Sequence, residues 1–122
     1  KLKTLHYDNK ADISIIVRHL DDTSRFGTVI IDKNNRITGF REKQIDIKKG
    51  YINGGIYMIN KNILHTNNLT NKFSFEKDLL EKLFSQNNFY ALISEAYFID
   101  IGVPEDYRKA EKEFPDLFSN EY

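Results

Sequence analysis

The stretch Ile13-Ser14-Ile15-Ile16-Val17 constrains this chain most. A near-continuous apolar run of this length suits a strand that is covered on both faces. The reading is therefore a strand over residues 11–20 inside a layered α/β fold, with helices packed against the sheet. Downstream punctuation agrees. Gly27–Asp32 and Arg36–Lys43 flank the Asn-rich turn 33–35, which predicts a hairpin. Tyr51–Ile59 is a further strand, interrupted by Gly54-Gly55. Glycine weakens a strand interior, so the pair marks a bulge or a close backbone approach.

Helical signals separate these strands. Residues 2–8 carry Leu2 and Leu5 on one face, and Lys61–Leu64 suits a single turn. Ser74 is a good N-cap, followed by Glu76 in a first turn and the stripe Phe75, Leu79, Leu80, Leu83 and Phe84. Phe89–Ile93 and Tyr97–Ile101 predict two more short strands. A last helix starts with Pro104 at its first position, carries Glu105 and Asp106 in its first turn, and stops at Pro115.

Composition excludes several chemistries. Lys+Arg and Asp+Glu balance at 18 each, so no global field favours nucleic acid or an anionic membrane. With no cysteine there is no disulfide, zinc–thiolate site or thiol nucleophile. No apolar run approaches the ~20 residues of a membrane helix and no signal peptide opens the sequence, so the expected location is cytoplasmic. His6, His19 and His65 show no metal-ligand spacing.

The remaining polar residues fall into motifs, each with two readings. Asp100 stands between Ile99 and Ile101 on a strand expected to stop at Gly102. It either ligates a hard cation such as Mg²⁺ or bonds the amides of the turn that follows. Glu42-Lys43 either takes sugar hydroxyls and a phosphate or is a solvated charged pair at a strand end. Asn53 offers a donor and an acceptor beside Gly54-Gly55, which suits a sugar lying on bare backbone or a bulge without a ligand. Phe26-Gly27 is a close-approach point or a turn.

Taken in order, Phe26-Gly27, Glu42-Lys43, Asn53-Gly54-Gly55-Ile56-Tyr57, Ser74-Phe75-Glu76 and Asp100-Ile101-Gly102-Val103-Pro104-Glu105-Asp106-Tyr107 resemble the sugar-1-phosphate nucleotidyltransferases. The wording of these segments is similar to the guanylyltransferase branch acting on D-glycero-α-D-manno-heptose 1-phosphate. Mannose-1-phosphate guanylyltransferases and glucose-1-phosphate thymidylyltransferases are the neighbouring branches. The resemblance implies a Rossmann-like domain that joins a sugar 1-phosphate to a nucleoside triphosphate (NTP) and releases pyrophosphate. The phosphate oxygen attacks in line and Mg²⁺ offsets the developing charge, so positioning and electrostatics carry the reaction.

By that resemblance Asp100 is one of two metal carboxylates. Glu42 and Asn53 hold sugar hydroxyls, Lys43 sits near the sugar phosphate, and Gly27 and Gly54 give close backbone contacts. The family's Gly-rich loop, base contacts and first metal carboxylate have no counterpart in these residues. Residues 1–122 are therefore expected to be a single partial domain, the C-terminal, sugar-binding half, inactive alone. Val103 stands where many members have Thr, and Gln44 where many have Pro, which removes one helix cap and one loop restraint. The alternative is a non-catalytic sugar-phosphate-binding or assembly module, whose exposed strands would pair in a homodimer or a strand-exchanged oligomer.

Overall fold

The chain is described by a computed structural model over residues 1–46 and 49–119. Five strands form one mixed sheet: β1 (Ile13–Leu20), β2 (Thr28–Ile31), β3 (Ile37–Arg41), β4 (Gly50–Ile59) and β5 (Phe89–Ile93), in the order β3-β2-β4-β1-β5. β1 runs parallel to β5 and antiparallel to β4. β2 and β3 form the expected hairpin, with Asn35 at φ 61° in its turn. The hairpin tip then curls back onto the far strand. Arg36 bridges to Tyr90, and the Ala91 N–H donates to the Asn35 carbonyl at 2.8 Å.

β1 is covered on both faces, as its apolar run requires. Ile13, Ile15 and Val17 are fully buried in a core with Val29, Ile37, Leu79, Leu80 and Phe89. On the opposite face lies α1 (Leu2–Asp8), which meets the sheet through His6. His6 Nδ1 lies 2.8 Å from the buried Ser14 Oγ, so the one polar residue of the run has a partner.

Burial lowers the His6 pKa, and the nearby Asp12 carboxylate opposes that shift without cancelling it. The unfolded chain therefore takes up this proton more readily than the folded one. The associated stability is present above pH ~6.5, the ordinary histidine value, and is lost as pH falls below it through the lower folded-state value. The urea midpoint is expected to drop between pH 7.5 and 5.5. His6→Gln should flatten that drop, and an unchanged slope in the variant would show that His6 is not its source.

The helix expected from Ser74 has an unexpected geometry. Phe75–Leu80 is a π-helical segment that passes into the short α3 (Glu81–Leu83). Its start is capped reciprocally: the Lys77 N–H donates to Ser74 Oγ at 3.2 Å and the Ser74 N–H to Asp78 Oδ2 at 2.8 Å. In an α-helix the returning side chain stands three residues after the cap, and the extra residue per π turn moves it to the fourth. α2 (Asn62–Thr66) is the single turn expected after β4.

Two expectations near the C-terminus are corrected. Residues 97–101 form no strand, because no ladder partner runs beside them; the chain leaves the sheet where the Ser94 N–H donates to the Val17 carbonyl at 2.9 Å. The last helix, α4 (Pro104–Phe118), also continues through Pro115 instead of ending there. A proline so close to a helix end removes one i→i−4 bond from the final turns and leaves the rest of the helix intact. The uncapped start inferred from Val103 is observed.

Candidate functional site

The strands converge on a cavity of about 240 Å³ beside the N-terminal ends of β2 and β4. It is lined by the apolar Phe26, Val29, Phe40, Ile52 and Leu80 and by the exposed, charged Arg25, Arg41, Lys43, Glu76 and Glu81. Gly27, Lys43 and Asn53, three of the residues singled out in the sequence, line this one cavity. β3 brings Lys43 to the rim by ending at Arg41, two residues earlier than expected.

Gly27 earns its identity from backbone geometry. A Cβ there would sit 3.0 Å from the Arg41 carbonyl oxygen, so the β2–β3 pair closes over bare backbone. Gly54 does not line the cavity, and a Cβ on it would sit 2.8 Å from the Ile16 carbonyl oxygen of β1. The register explains this. Ile15 pairs with Tyr57 and Val17 with Asn53, so residues 54–56 bulge opposite Ile16 alone. Gly55, at φ +75°, turns the bulge. The close approach at Gly54 is thus to a neighbouring strand.

Asn53 staples that bulge. Its Nδ2 donates to Tyr57 Oη at 2.6 Å, and its Oδ1 accepts from the Gly55 N–H at 2.9 Å. Each side-chain atom keeps further bonding capacity toward the cavity. Tyr57 packs edge-on against Phe75 of the π segment, with ring centroids 4.7 Å apart. Burial is the main cause raising the Tyr57 pKa, with Glu76 adding to it and the Asn53 hydrogen bond opposing. Tyr57 therefore keeps its proton near neutral pH and fixes the orientation of Asn53.

Glu42 and Asp100 stand outside this lining. Glu42 is exposed and 3.9 Å from Lys77 Nζ, an ion pair too open to contribute much. Asp100 is exposed in the turn before α4, where its Oδ1 accepts from the Gly102 N–H at 3.0 Å. This is the turn-bonding geometry weighed from sequence. Sequence reasoning assigned no site role to Glu76, Arg25 or Arg41. Glu76 was visible within Ser74-Phe75-Glu76, but a first-turn carboxylate is already explained by the helix dipole. The arginines carried no motif beyond their neighbours Phe26-Gly27 and Glu42-Lys43.

A sequence model of the family described as "Nucleotidyl transferase" matches residues 2–116. The chain belongs to the nucleotidyl transferase family. Within that family it is 48% identical over 113 residues to the D-glycero-alpha-D-manno-heptose 1-phosphate guanylyltransferase of Aneurinibacillus thermoaerophilus, covering 93% of this chain and 48% of that protein. The enzyme of the same name from Campylobacter jejuni is 41% identical over 99 residues, covering 81% of this chain and 44% of that one. Among solved structures, HddC from Yersinia pseudotuberculosis complexed with GMP-PN superposes with TM-score 0.74 at 38% identity, covering 92% of this chain and 48% of HddC. This nucleotidyl transferase chain thus spans about half the length of the relatives it matches. No helix among the described residues is long and apolar enough to cross a membrane.

Proposed function

We propose that this chain supplies the sugar-phosphate side of an enzyme that joins a sugar 1-phosphate to an NTP and releases pyrophosphate, making a GDP-sugar of the heptose or mannose type. The observation that carries this reading is the convergence of Gly27, Lys43, Asn53 and Glu76, from separate family motifs, on one cavity. Relatives named as heptose 1-phosphate guanylyltransferases support the choice of substrate.

In this reading the cavity's apolar floor takes the face of the sugar ring. Asn53 meets a hydroxyl that both donates and accepts, while Glu42, outside the lining beside Lys77, would turn inward to reach a hydroxyl. Lys43 offsets the phosphate, and Gly27 lets the ligand lie against backbone. Gly54 acts indirectly, by allowing the bulge that presents Asn53. Asp100 is a hard oxygen donor suited to Mg²⁺, which takes one or two protein carboxylates and completes its shell with phosphate oxygens and water. No cluster of three or more candidate ligands occurs among the described residues; in this reading Asp100 would be one ligand of a site completed by other groups. A bound Mg²⁺ would offset negative charge on the phosphates. The proposed setting is cytoplasmic. Residues 1–122 would form one partial domain. Residues 57–59 of β4 pair only with β1 among the described residues, which leaves an edge where a second copy could add a strand.

The test is pyrophosphate release from GTP with D-glycero-α-D-manno-heptose 1-phosphate or mannose 1-phosphate. In the protein carrying a nucleotide-binding half, Lys43→Ala is expected to lower kcat/KM about 100-fold, the scale of losing one aimed electrostatic contact. An unchanged value would remove Lys43 from the site. The 122-residue chain alone is expected to release none, since no Gly-rich phosphate loop occurs in it. Robust turnover by that chain would refute the division of labour.

A further inference from the structure

Arg25 stands where the cavity and the start of α4 meet. It lines the cavity rim beside Lys43. Its Nη2 also donates to Asp106 Oδ2 at 2.8 Å, across 81 positions of sequence. The guanidinium lies 5.7 Å from the centroid of the Phe26 ring, which limits its swing on the other side. The hydrogen bond and charge of Asp106 raise the Arg25 pKa, and the charges of Asp100 and Glu105 add to this. Arg25 is therefore within electrostatic reach of the Asp100 turn as well as the cavity.

α4 has few other holds on the rest of the fold. Ala110 is its one buried residue among those described, and Tyr97 Oη donates to Glu113 further along the helix. The first turn of α4, which follows the Asp100 turn directly, is tied to the cavity side by Arg25–Asp106. An exposed ion pair contributes little stability in water, so its geometry matters more than its strength. The guanidinium presents a planar fork of five donors, and one carboxylate uses only some of them.

We propose that Arg25 is a phosphate-binding residue of this cavity, and that Asp106 is the positioning residue that aims it. Arg25 and Lys43 together receive the anionic group of a phosphorylated sugar, while Asp106 holds the fork through Nη2 alone, leaves its other donors free for the ligand, and ties the first turn of α4 to the cavity side. This assignment rests on the sugar-phosphate reading of the cavity. It adds to that reading a contact that spans the cavity and α4.

The experiment titrates the full-length protein calorimetrically with mannose 1-phosphate and with free mannose. Arg25→Ala is expected to weaken mannose 1-phosphate binding about tenfold, the scale of one charge-assisted contact, and to leave free mannose within about twofold. Arg25→Lys should restore part of the loss, because an ammonium supplies the charge without the fork. Asp106→Asn should give an intermediate loss with the same selectivity, and faster amide exchange at residues 105–108 in the absence of any ligand. Wild-type affinity in Arg25→Ala, or equal losses for both ligands, would overturn the phosphate role of Arg25 while leaving the proposed function intact. Failure of the wild-type protein to bind mannose 1-phosphate, glucose 1-phosphate or D-glycero-α-D-manno-heptose 1-phosphate would overturn both. Unchanged exchange in Asp106→Asn would overturn the positioning role.

Discussion

Gly54→Ala is expected to destabilise the ligand-free protein by about 1–3 kcal/mol, the usual cost of forcing one extra carbon into packed structure. The new Cβ would lie 2.8 Å from the Ile16 carbonyl oxygen, and backbone cannot rotate away as a side-chain tip can. Relief requires β1 and β4 to separate at the bulge, where they form the centre of the sheet. Urea denaturation without ligand reads the effect. A wild-type midpoint there, with a defect only in sugar-phosphate binding, would mean that Gly54 serves the ligand and not the strand pair. Gly55→Ala makes a useful companion. A Cβ at Gly55 meets nothing within 4 Å, but φ +75° strains any L-residue, so a cost of about 1 kcal/mol is expected from conformation alone.

Phe89→Ala should have a larger effect, about 3–5 kcal/mol, and calorimetry or denaturant unfolding measures it directly. Phe89 has no exposed surface and lies in the core with Ile13, Ile15, Leu79 and Leu80. Phe89 also pairs with Ile13 on the parallel β1–β5 ladder. Losing the ring leaves a cavity where the strands meet the π segment, and Glu76 belongs to that segment. Sugar-phosphate affinity should therefore fall together with stability. A loss below about 1 kcal/mol would mean that the core collapses around the gap, or that Phe89 packs less tightly than its burial shows.

These expectations separate what was legible in the residues from what was not. The near-continuous apolar run of β1 specifies a two-sided strand because few other environments hide four such residues in five. The Asn-rich turn specifies its hairpin because its requirements are local. Ser74 is legible as a cap for the same reason. The strand expected at residues 97–101 failed because alternation and branching show only that a segment could join a ladder. Whether a partner lies alongside is settled by residues elsewhere in the chain. The Pro115 stop failed differently: one lost hydrogen bond near a helix end is a small term that the rest of α4 outweighs.

The motif order pointed to the family, and a family model matching residues 2–116 agrees with it. The cavity was less legible. Glu76 had a sufficient local explanation as a dipole partner, and Arg25 drew no separate reading, so nothing in their spacing called for a ligand. The two readings of Asn53-Gly54-Gly55 likewise could not be separated by spacing. In the fold the bulge is what is observed: Gly54 lies against the Ile16 carbonyl, and Asn53, at the start of the bulge, lines the cavity.

By itself the sequence determined the α/β class, nearly every strand, the caps and the family, because these depend on short-range periodicity, turn chemistry and ordered motifs. Tertiary structure alone decided that Gly54 faces the Ile16 carbonyl, that the hairpin tip reaches β5, and that Arg25 meets Asp106 across 81 positions. The physical reason is that each is a contact between distant segments. Its geometry follows from how the whole sheet twists and closes, and no local window carries that information.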